Sequence, residues 1–270
     1  MKNKLSHYTP IVFIITLIIL GCNMDADHGR DNDKCRLISY QSNGIPIYMI
    51  YDNDKTLISG NYFSPGNAEI RYDHDNQGHL TKVVSLGKHI IGDTIIADYT
   101  CDGNRLRILK YYDRQYDINS GPSEKRILTC NFYYNKSDRP DSMQVVKSRV
   151  DSTGREYIFE PIRLDKFLFD SDDNLTKQET YMQEADGRFA PVATSYHRYD
   201  NKANFLKQLK QIHFLIDQSI PYMFSKNNVV ATRREVSGKH ATEMAFKIIY
   251  DGDMLIDDGM GFAEIKWSCE

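Results

Sequence analysis

The chain has 270 residues, 41% of them hydrophobic, and a formal net charge of −3 at pH 7. Such a mildly acidic chain has no basic field to neutralise phosphates, which dominate nucleic-acid binding, so nucleic acid is excluded as a partner. A chain of this length forms one large domain or two small ones and buries roughly 70–75% of its unfolded surface.

Residues 1–21 have the composition of a secretory signal peptide. The opening M-K-N-K carries two lysines and no acid, and residues 11–20 are apolar apart from Thr16. Ten apolar residues are too few for a membrane-spanning helix, which needs about 20. We therefore exclude residues 1–21 from the predicted fold.

The apolar run ends in I-L-G-C, residues 19–22, which resembles the lipobox of bacterial lipoproteins. The resemblance implies cleavage before Cys22 and acylation of that residue, which would make a durable membrane anchor. The acidic residues that follow resemble the surface-export signals of Bacteroidota lipoproteins, and residues 22–36 are a predicted flexible, acidic tether. We expect the lipid to hold the mature chain at the outer membrane, on the cell surface or on the periplasmic face.

A short pattern recurs along residues 37–270, which we predict to be a single β domain. In each copy, a β-branched or aromatic run ends in an aromatic residue or Cys followed by Asp or Asn, and a polar turn comes next. The Asp or Asn positions are 52, 73, 102, 135, 170, 200 and 251, and a degenerate copy lies near Ser225. Because Asp, Asn and Gly adopt the positive φ of tight hairpin turns, each copy predicts a β-hairpin.

The residues beside these turns alternate with period two, as strands require. Ile70 and Tyr72 share one face, for example, and Ile265 and Trp267 share another. A single hairpin is only marginally stable, so the hairpins must lie side by side. The predicted fold is mainly β, an antiparallel β-hairpin meander that forms a strongly twisted or half-barrel sheet.

One segment has helical periodicity instead. Apolar residues recur at steps of four, three and four positions between Phe205 and Ile216, with lysines on the other side. Asp200 or Asn201 can cap the start of a helix. We predict one helix near 201–216, packed on the apolar face of the sheet.

The Tyr-Asp units resemble the YD repeats of RHS-type proteins. More closely, the mature chain is similar to a family of uncharacterised Bacteroidota lipoproteins built from such units. Residues 199–205 match a segment of that family, without the family's proline after Asn204, and residues 224–229 and 250–253 match later segments. These motifs are structural, so the resemblance implies no catalytic residues.

Four cysteines follow Cys22, and disulfides persist in exported proteins. No two of them have the C-x-x-C spacing of a zinc or thioredoxin-like site. We predict that Cys101 pairs with Cys130, because they lie on neighbouring units, and that Cys35 pairs with Cys269. Four reduced thiols are the alternative.

Acidic turns raise the question of calcium binding. Asp73, Asp75 and Gln77 match the start of an EF-hand loop, but Val84 occupies position 12, where a bidentate Glu is required. We therefore interpret residues 73–78 as a turn and predict no metal and no cofactor. The same interpretation applies to the acidic residues near the end of the chain, Asp251, Asp253, Asp257 and Asp258.

No catalytic motif occurs in the sequence. It contains no G-x-S-x-G, P-loop or G-x-G-x-x-G, and its eight histidines are scattered, so we expect them at the surface. We predict a non-catalytic binding or scaffold module whose ligand, a glycan, a peptide or a protein, is unknown. Two alternatives stay open, a lipid or lipoprotein carrier with an open half-barrel and a polysaccharide hydrolase with two facing carboxylates.

Tyrosine and phenylalanine are abundant, with 18 and 12 copies. Most of them occupy strand positions, so we expect most of them in the core. Exposed aromatic side chains could stack on a sugar or a peptide. The candidates for this role are Tyr62, Phe63, Tyr111, Tyr112 and Tyr116.

Overall fold

The computed structural model describes twelve stretches of the chain, which contain the strands given below. The described residues are 35–42, 45–51, 57–62, 68–76, 80–87, 94–102, 105–114, 125–135, 139–204, 224–252, 254–259 and 262–269. Cys22 and the predicted signal peptide lie outside them. The first eight strands are β1 Cys35–Ser42, β2 Ile45–Tyr51, β3 Leu57–Tyr62, β4 Ala68–His74, β5 Leu80–Gly87, β6 Thr94–Asp102, β7 Arg105–Arg114 and β8 Lys125–Tyr134.

The remaining strands follow from residue 140 onwards. They are β9 Pro140–Val150, β10 Glu156–Ile158, β11 Arg163–Phe169, β12 Leu175–Gln183, β13 Phe189–Ala203, β14 Asn227–Val236, β15 Thr242–Ala245, β16 Ile249–Asp251, β17 Met254–Asp257 and β18 Phe262–Cys269. Among the described residues, no helix is long and apolar enough to cross a membrane.

Sixteen strands form one sheet in which almost every strand pairs with its neighbours in sequence. The order is β15-β14-β13-β12-β11-β9-β8-β7-β6-β5-β4-β3-β2-β1-β18, and β10 pairs with β9 beside this path. All of these pairs are antiparallel, which confirms the predicted meander. Among the described strands, β15 and β18 are the two edges and do not pair with each other, so the sheet is open.

Several of the predicted turn positions lie between paired strands, as predicted, whereas Asp200 lies within strand β13. Asp73 lies at the end of β4, and Asp102 at the end of β6 pairs with Arg105 at the start of β7. In the turn between β11 and β12, the carboxylate of Asp170 accepts the N–H groups of Asp172 and Asn174, and Asp173 has a φ of 66°. Connections alternate between the two ends of an antiparallel meander, so these turns share one end of the sheet, here called the YD end.

The inner face of the sheet holds the core. Side chains at alternate positions of the central strands are completely buried there, among them Leu109, Cys130 and Met143, each 0% exposed. Because one contiguous cluster contains residues from β1 to β12 and from β17 and β18, burial extends along most of the sheet. The alternation predicted from the sequence therefore places one face inside.

The hairpin formed by β16 and β17 lies on this inner face and contacts strands from both ends of the sheet order. Tyr250 on β16 contacts Asp200 on β13, whereas the backbone carbonyl of Leu255 on β17 accepts a hydrogen bond from the indole of Trp267 on β18, at 3.0 Å. Twelve strand spacings separate β13 from β18 in the order of the sheet. A two-stranded hairpin can reach both only because the sheet is rolled.

The start of the predicted helix is wrong. Residues 201–203 belong to strand β13, and Ala203 pairs with Asn227 of β14. Asp200 binds the N–H of Lys202, at 3.0 Å, as part of this extended segment and not as a helix cap. Residues 205–216, the rest of the prediction, lie outside the described residues. The predicted tether is also two residues too long, since β1 begins at Cys35.

Candidate binding surface

The three segments that carry the family resemblance meet at Asp200. Its carboxylate accepts the backbone N–H of Lys202 at 3.0 Å, the backbone N–H of Asn228 at 3.1 Å and the hydroxyl of Tyr250. The side-chain amide of Asn228 donates to the carbonyl of Ala203 and to the Tyr250 hydroxyl, both at 3.0 Å. We call these residues the Asp200 cluster.

A second set of hydrogen bonds continues the Asp200 cluster towards β12. Ser225 is completely buried, and its hydroxyl accepts the N–H of Leu175 at 3.1 Å and donates to Tyr199 at 2.8 Å. The Tyr199 hydroxyl donates in turn to the carbonyl of Leu175 at 2.6 Å. The side-chain amide of Asn204 donates to the carbonyl of Ser225 at 2.9 Å.

These contacts give the polar residues of the three segments a structural role. Burial and the hydrogen bond to Asp200 raise the pKa of Tyr250, so its hydroxyl stays protonated and acts as a donor. Each polar group named here is satisfied by another part of the chain, and this satisfaction is what buried polar groups require. The Asp200 cluster therefore joins β12, β13, β14 and β16, which agrees with the expectation that these motifs are structural.

The predicted Cys101–Cys130 disulfide is wrong. Cys130 is a completely buried thiol, whereas Cys101 is disulfide-bonded. The two residues lie on β6 and β8 with β7 between them. Two strand spacings are roughly 9–10 Å, and a disulfide needs its Cα atoms within roughly 7 Å. Cys35 and Cys269 are register partners in β1 and β18, but their side chains lie outside the described residues, and a bond between them stays a prediction.

The residues considered for calcium lie at turns. Asp73 pairs with Lys82 in the β4–β5 register and binds Arg71 at 2.9 Å, so residues 73–76 are the end of a strand and its turn, as interpreted. Asp257 accepts the N–H of Gly259 at 2.7 Å. Within the described ranges, no three His, Cys, Asp or Glu side chains come together in a way that could hold a metal ion.

Two expectations about individual side chains were wrong. His197 was expected at the surface, but it is 7% exposed and its Nδ1 lies 3.1 Å from the Thr232 hydroxyl. Its alternation with Ser195 and Tyr199 along β13 was the signal that could have placed it inside. Tyr111, a candidate for exposed stacking, packs against the core.

Of the other candidates for stacking, only Tyr112 has a described side chain, and it lies on the outer face of the sheet. Tyr112 donates to Asp98 at 2.6 Å, and the Lys125 ammonium lies 4.5 Å from the centre of its ring. Burial, followed by the interaction with Asp98, raises the pKa of Tyr112 to about 12. The side chain of Tyr62 and the residues Phe63 and Tyr116 lie outside the described residues.

A group of side chains that sequence reasoning missed covers the outer side of β11, β12 and β13. Lys166 and Lys177 lie over the rings of Tyr181 and Tyr196, 5.0 Å and 6.0 Å from the ring centres. Glu179 stands between them and accepts hydrogen bonds from Lys177 at 2.6 Å and from Tyr181 at 3.1 Å. We call these five residues the tyrosine face.

Charge and exposure suit the tyrosine face to polar ligands. The hydrogen bonds from Lys177 and Tyr181 lower the pKa of Glu179, and the bond to Glu179 raises the pKa of Lys177. Tyr196 is 39% exposed, and its ring stands in the β12–β13 register opposite Lys177. The face thus offers two oriented phenols, two ammonium groups and one carboxylate on a rigid sheet.

Comparison with known proteins identifies a structure with a similar fold but no family. No family model and no curated protein matches the sequence. A porin-like protein from Bacteroides vulgatus has a similar structure, with a TM-score of 0.51 and 12% identity over 87% of this chain and 97% of that one. A chain of the TcdB2–TccC3–Cdc42 complex aligns with a TM-score of only 0.23 at 10% identity, over 78% of this chain and 10% of that one. The chain therefore resembles the Bacteroides vulgatus protein in its fold, and this likeness extends to the fold alone.

Proposed function

We propose that the protein is a lipid-anchored lipoprotein of the outer membrane, of the Bacteroidota type that its YD-like units resemble, and that it binds a ligand without catalysing a reaction. The lipobox ending at Cys22 supports the anchor. The fold likeness to a porin-like protein from Bacteroides vulgatus is consistent with the same membrane. The ligand we propose is an extended glycan.

The tyrosine face is the observation that carries the binding role. Tyrosine rings present an apolar surface with a polar edge, which suits a sugar ring and its hydroxyl groups. Tyr181 and Tyr196 lie on adjacent strands four residues apart along the register, so they can contact different units of one chain. The lysines and Glu179 around them supply hydrogen-bond donors and an acceptor.

The packing of the inner face favours this surface over the lipid-carrier alternative. A carrier needs an open apolar concavity for an acyl chain. The apolar side chains on the described inner face, such as Leu109 and Met143, are instead packed against one another and fully buried. The surface offered to a ligand by these strands is their outer side.

We expect the anchor to depend on Cys22. The full chain expressed in a Bacteroidota host should lose residues 1–21, carry acyl chains on Cys22 and separate with the outer membrane, because acylation is what retains it there. Cys22→Ser should remain uncleaved and unacylated. Intact-mass spectrometry of the membrane fraction measures both properties, and a processed wild-type chain without lipid would contradict the anchor.

We expect a glycan array to show binding that depends on the tyrosine face. Replacing Tyr181 and Tyr196 together with alanine should weaken binding by about thirtyfold, since two aromatic contacts of about 1 kcal/mol each are lost. Tyr48→Ala is the matched control, because Tyr48 is 44% exposed on the distant strand β2. An array without any bound glycan, or an equal loss in the control, would rule out this site.

A further inference from the structure

Tyr196 stands between two ion pairs that have the same orientation. On β12, the Lys177 ammonium donates to the Glu179 carboxylate at 2.6 Å. On β14, the Arg233 guanidinium lies 2.7 Å from the Glu235 carboxylate. Lys177 and Arg233 stand directly opposite Tyr196, one in each neighbouring strand. The tyrosine face contains the first of these pairs, and the second lies beside it on β14.

The two carboxylates stand in a second row across the same strands. Glu179 and Glu235 are the register partners of Thr194, two residues before Tyr196 on β13. Residues two positions apart on a strand share a face, so both rows lie on the outer side of the sheet. The two ion pairs therefore run side by side along β12 and β14, and two strand spacings, roughly 10 Å, separate them.

The groups around Tyr196 are accessible to a ligand. Tyr196 is 39% exposed, and the side chains of Arg233 and Glu235 are 56% and 42% exposed. Exposed ion pairs contribute little to stability, because water solvates both charges well. Each carboxylate nevertheless holds its cation in one place, so the remaining N–H groups are oriented before a ligand binds.

The charges beside Tyr196 are balanced. A third ion pair, Arg198 with Glu243 at 3.0 Å, lies next to the other two, and the three pairs carry no net charge. A hydroxyl group is both a donor and an acceptor. Two neighbouring sugar hydroxyls can therefore accept from the cation of an ion pair and donate to its carboxylate, and no charge on the sugar is needed.

We propose that Tyr196 and the two ion pairs beside it form a subsite for one neutral pyranose unit. The sugar ring stacks on Tyr196, and hydroxyl groups on its two edges bridge the ion pairs on β12 and β14. This subsite rests on the proposed function and deepens it, because it makes the ligand a neutral glycan. Arg233 becomes a residue that determines specificity.

Isothermal titration calorimetry with the mature chain tests this subsite. The probes are cellohexaose, maltohexaose and laminarihexaose as neutral glycans and hexagalacturonate as an acidic one. We expect at least one neutral probe to bind, with an affinity that stays the same as the sodium chloride concentration rises, since salt screens only interactions between charges. Hexagalacturonate should bind more weakly than that neutral probe.

Variants of two adjacent arginines identify the contact. Arg233→Ala should weaken binding of the neutral probe about tenfold, because the sugar loses a hydrogen bond from a charged donor. Arg233→Lys should weaken it less, since an ammonium group can still donate. Arg234→Ala is the matched control, because Arg234 is also exposed but lies on the opposite face of β14, and this variant should bind as the wild type does. Both alanine variants should melt at the same temperature as the wild type.

The subsite and the proposed function can fail separately. Unchanged binding in Arg233→Ala, together with loss of binding in the double variant of Tyr181 and Tyr196, would overturn the subsite alone. An equal loss in Arg233→Ala and Arg234→Ala would also overturn it. Hexagalacturonate binding tighter than every neutral probe would overturn the assignment to neutral glycans. A wild type that binds none of the four probes would overturn the subsite as well, whereas the wider glycan array decides on the proposed function.

Discussion

Replacing Asp165 with alanine is expected to lower the free energy of unfolding by roughly 3 kcal/mol. Asp165 is completely buried on β11, where its carboxylate accepts the Thr180 hydroxyl at 2.7 Å and lies 3.0 Å from Nε of Arg163. The substitution removes the acceptor of one buried donor and the anion beside a largely buried guanidinium. Removing one partner of a buried pair costs more than the pair itself contributes.

Urea unfolding of two further variants tests this reasoning. Asp165→Asn keeps the volume and an acceptor for Thr180 but loses the charge, so it should fall between the wild type and the alanine variant. Asp186→Ala, on the exposed turn between β12 and β13, should change stability by about 0.5 kcal/mol or less. A loss below about 1 kcal/mol for Asp165→Ala would show that Asp165 is not an essential partner of Arg163.

The hairpins were predictable because their signals are local. An aromatic residue followed by Asp, as in Tyr72-Asp73, combines a strand residue with a turn residue within two positions. Asp170 forms its turn through hydrogen bonds to residues two and four positions later, so nothing distant is needed. Joined in sequence, such hairpins leave an antiparallel meander as the simplest arrangement.

The prediction that a helix starts at residue 201 was wrong because pairing with another strand determines the structure there. Asn201, Lys202 and Ala203 fit the start of a helix by local preference, yet Ala203 pairs with Asn227 of β14. Tertiary pairing overrides helix propensity, which is worth less than 1 kcal/mol per residue. The contact between Asp200 and Tyr250 is likewise 50 residues apart in sequence and has no local signal.

The candidate binding residues were harder to predict for a related reason. Alternation shows that two faces exist, but a polar residue on a strand looks the same in sequence on either face. In sequence, the pattern of Lys177, Glu179 and Tyr181 is typical of any solvent-exposed strand. Only the pairing of β12 with β11 and β13 brings Lys166 and Tyr196 next to them.

Acidification from pH 7.5 to 5 is expected to destabilise the protein by about 2 kcal/mol through His197 alone. Burial lowers the pKa of His197 to about 4 from its ordinary value of 6.5. Between these two pKa values, His197 is protonated in the unfolded chain but neutral in the folded chain. The free energy of unfolding therefore falls as pH decreases from about 6.5 towards 4. Above that window the histidine is neutral in both states and contributes no pH dependence.

Comparison of the wild type with His197→Gln isolates this contribution from the other titrating groups. Glutamine does not titrate and can still bond to the Thr232 hydroxyl, which lies 3.1 Å from Nδ1 of His197. The difference in unfolding free energy between the two proteins should shift by about 2 kcal/mol in favour of the glutamine variant as pH falls from 7.5 to 5. His240→Gln, the same exchange at an exposed position on the turn before β15, is the matched control for the substitution itself. Parallel curves for the wild type and His197→Gln would mean that His197 accepts a proton in the folded protein as easily as in the unfolded chain.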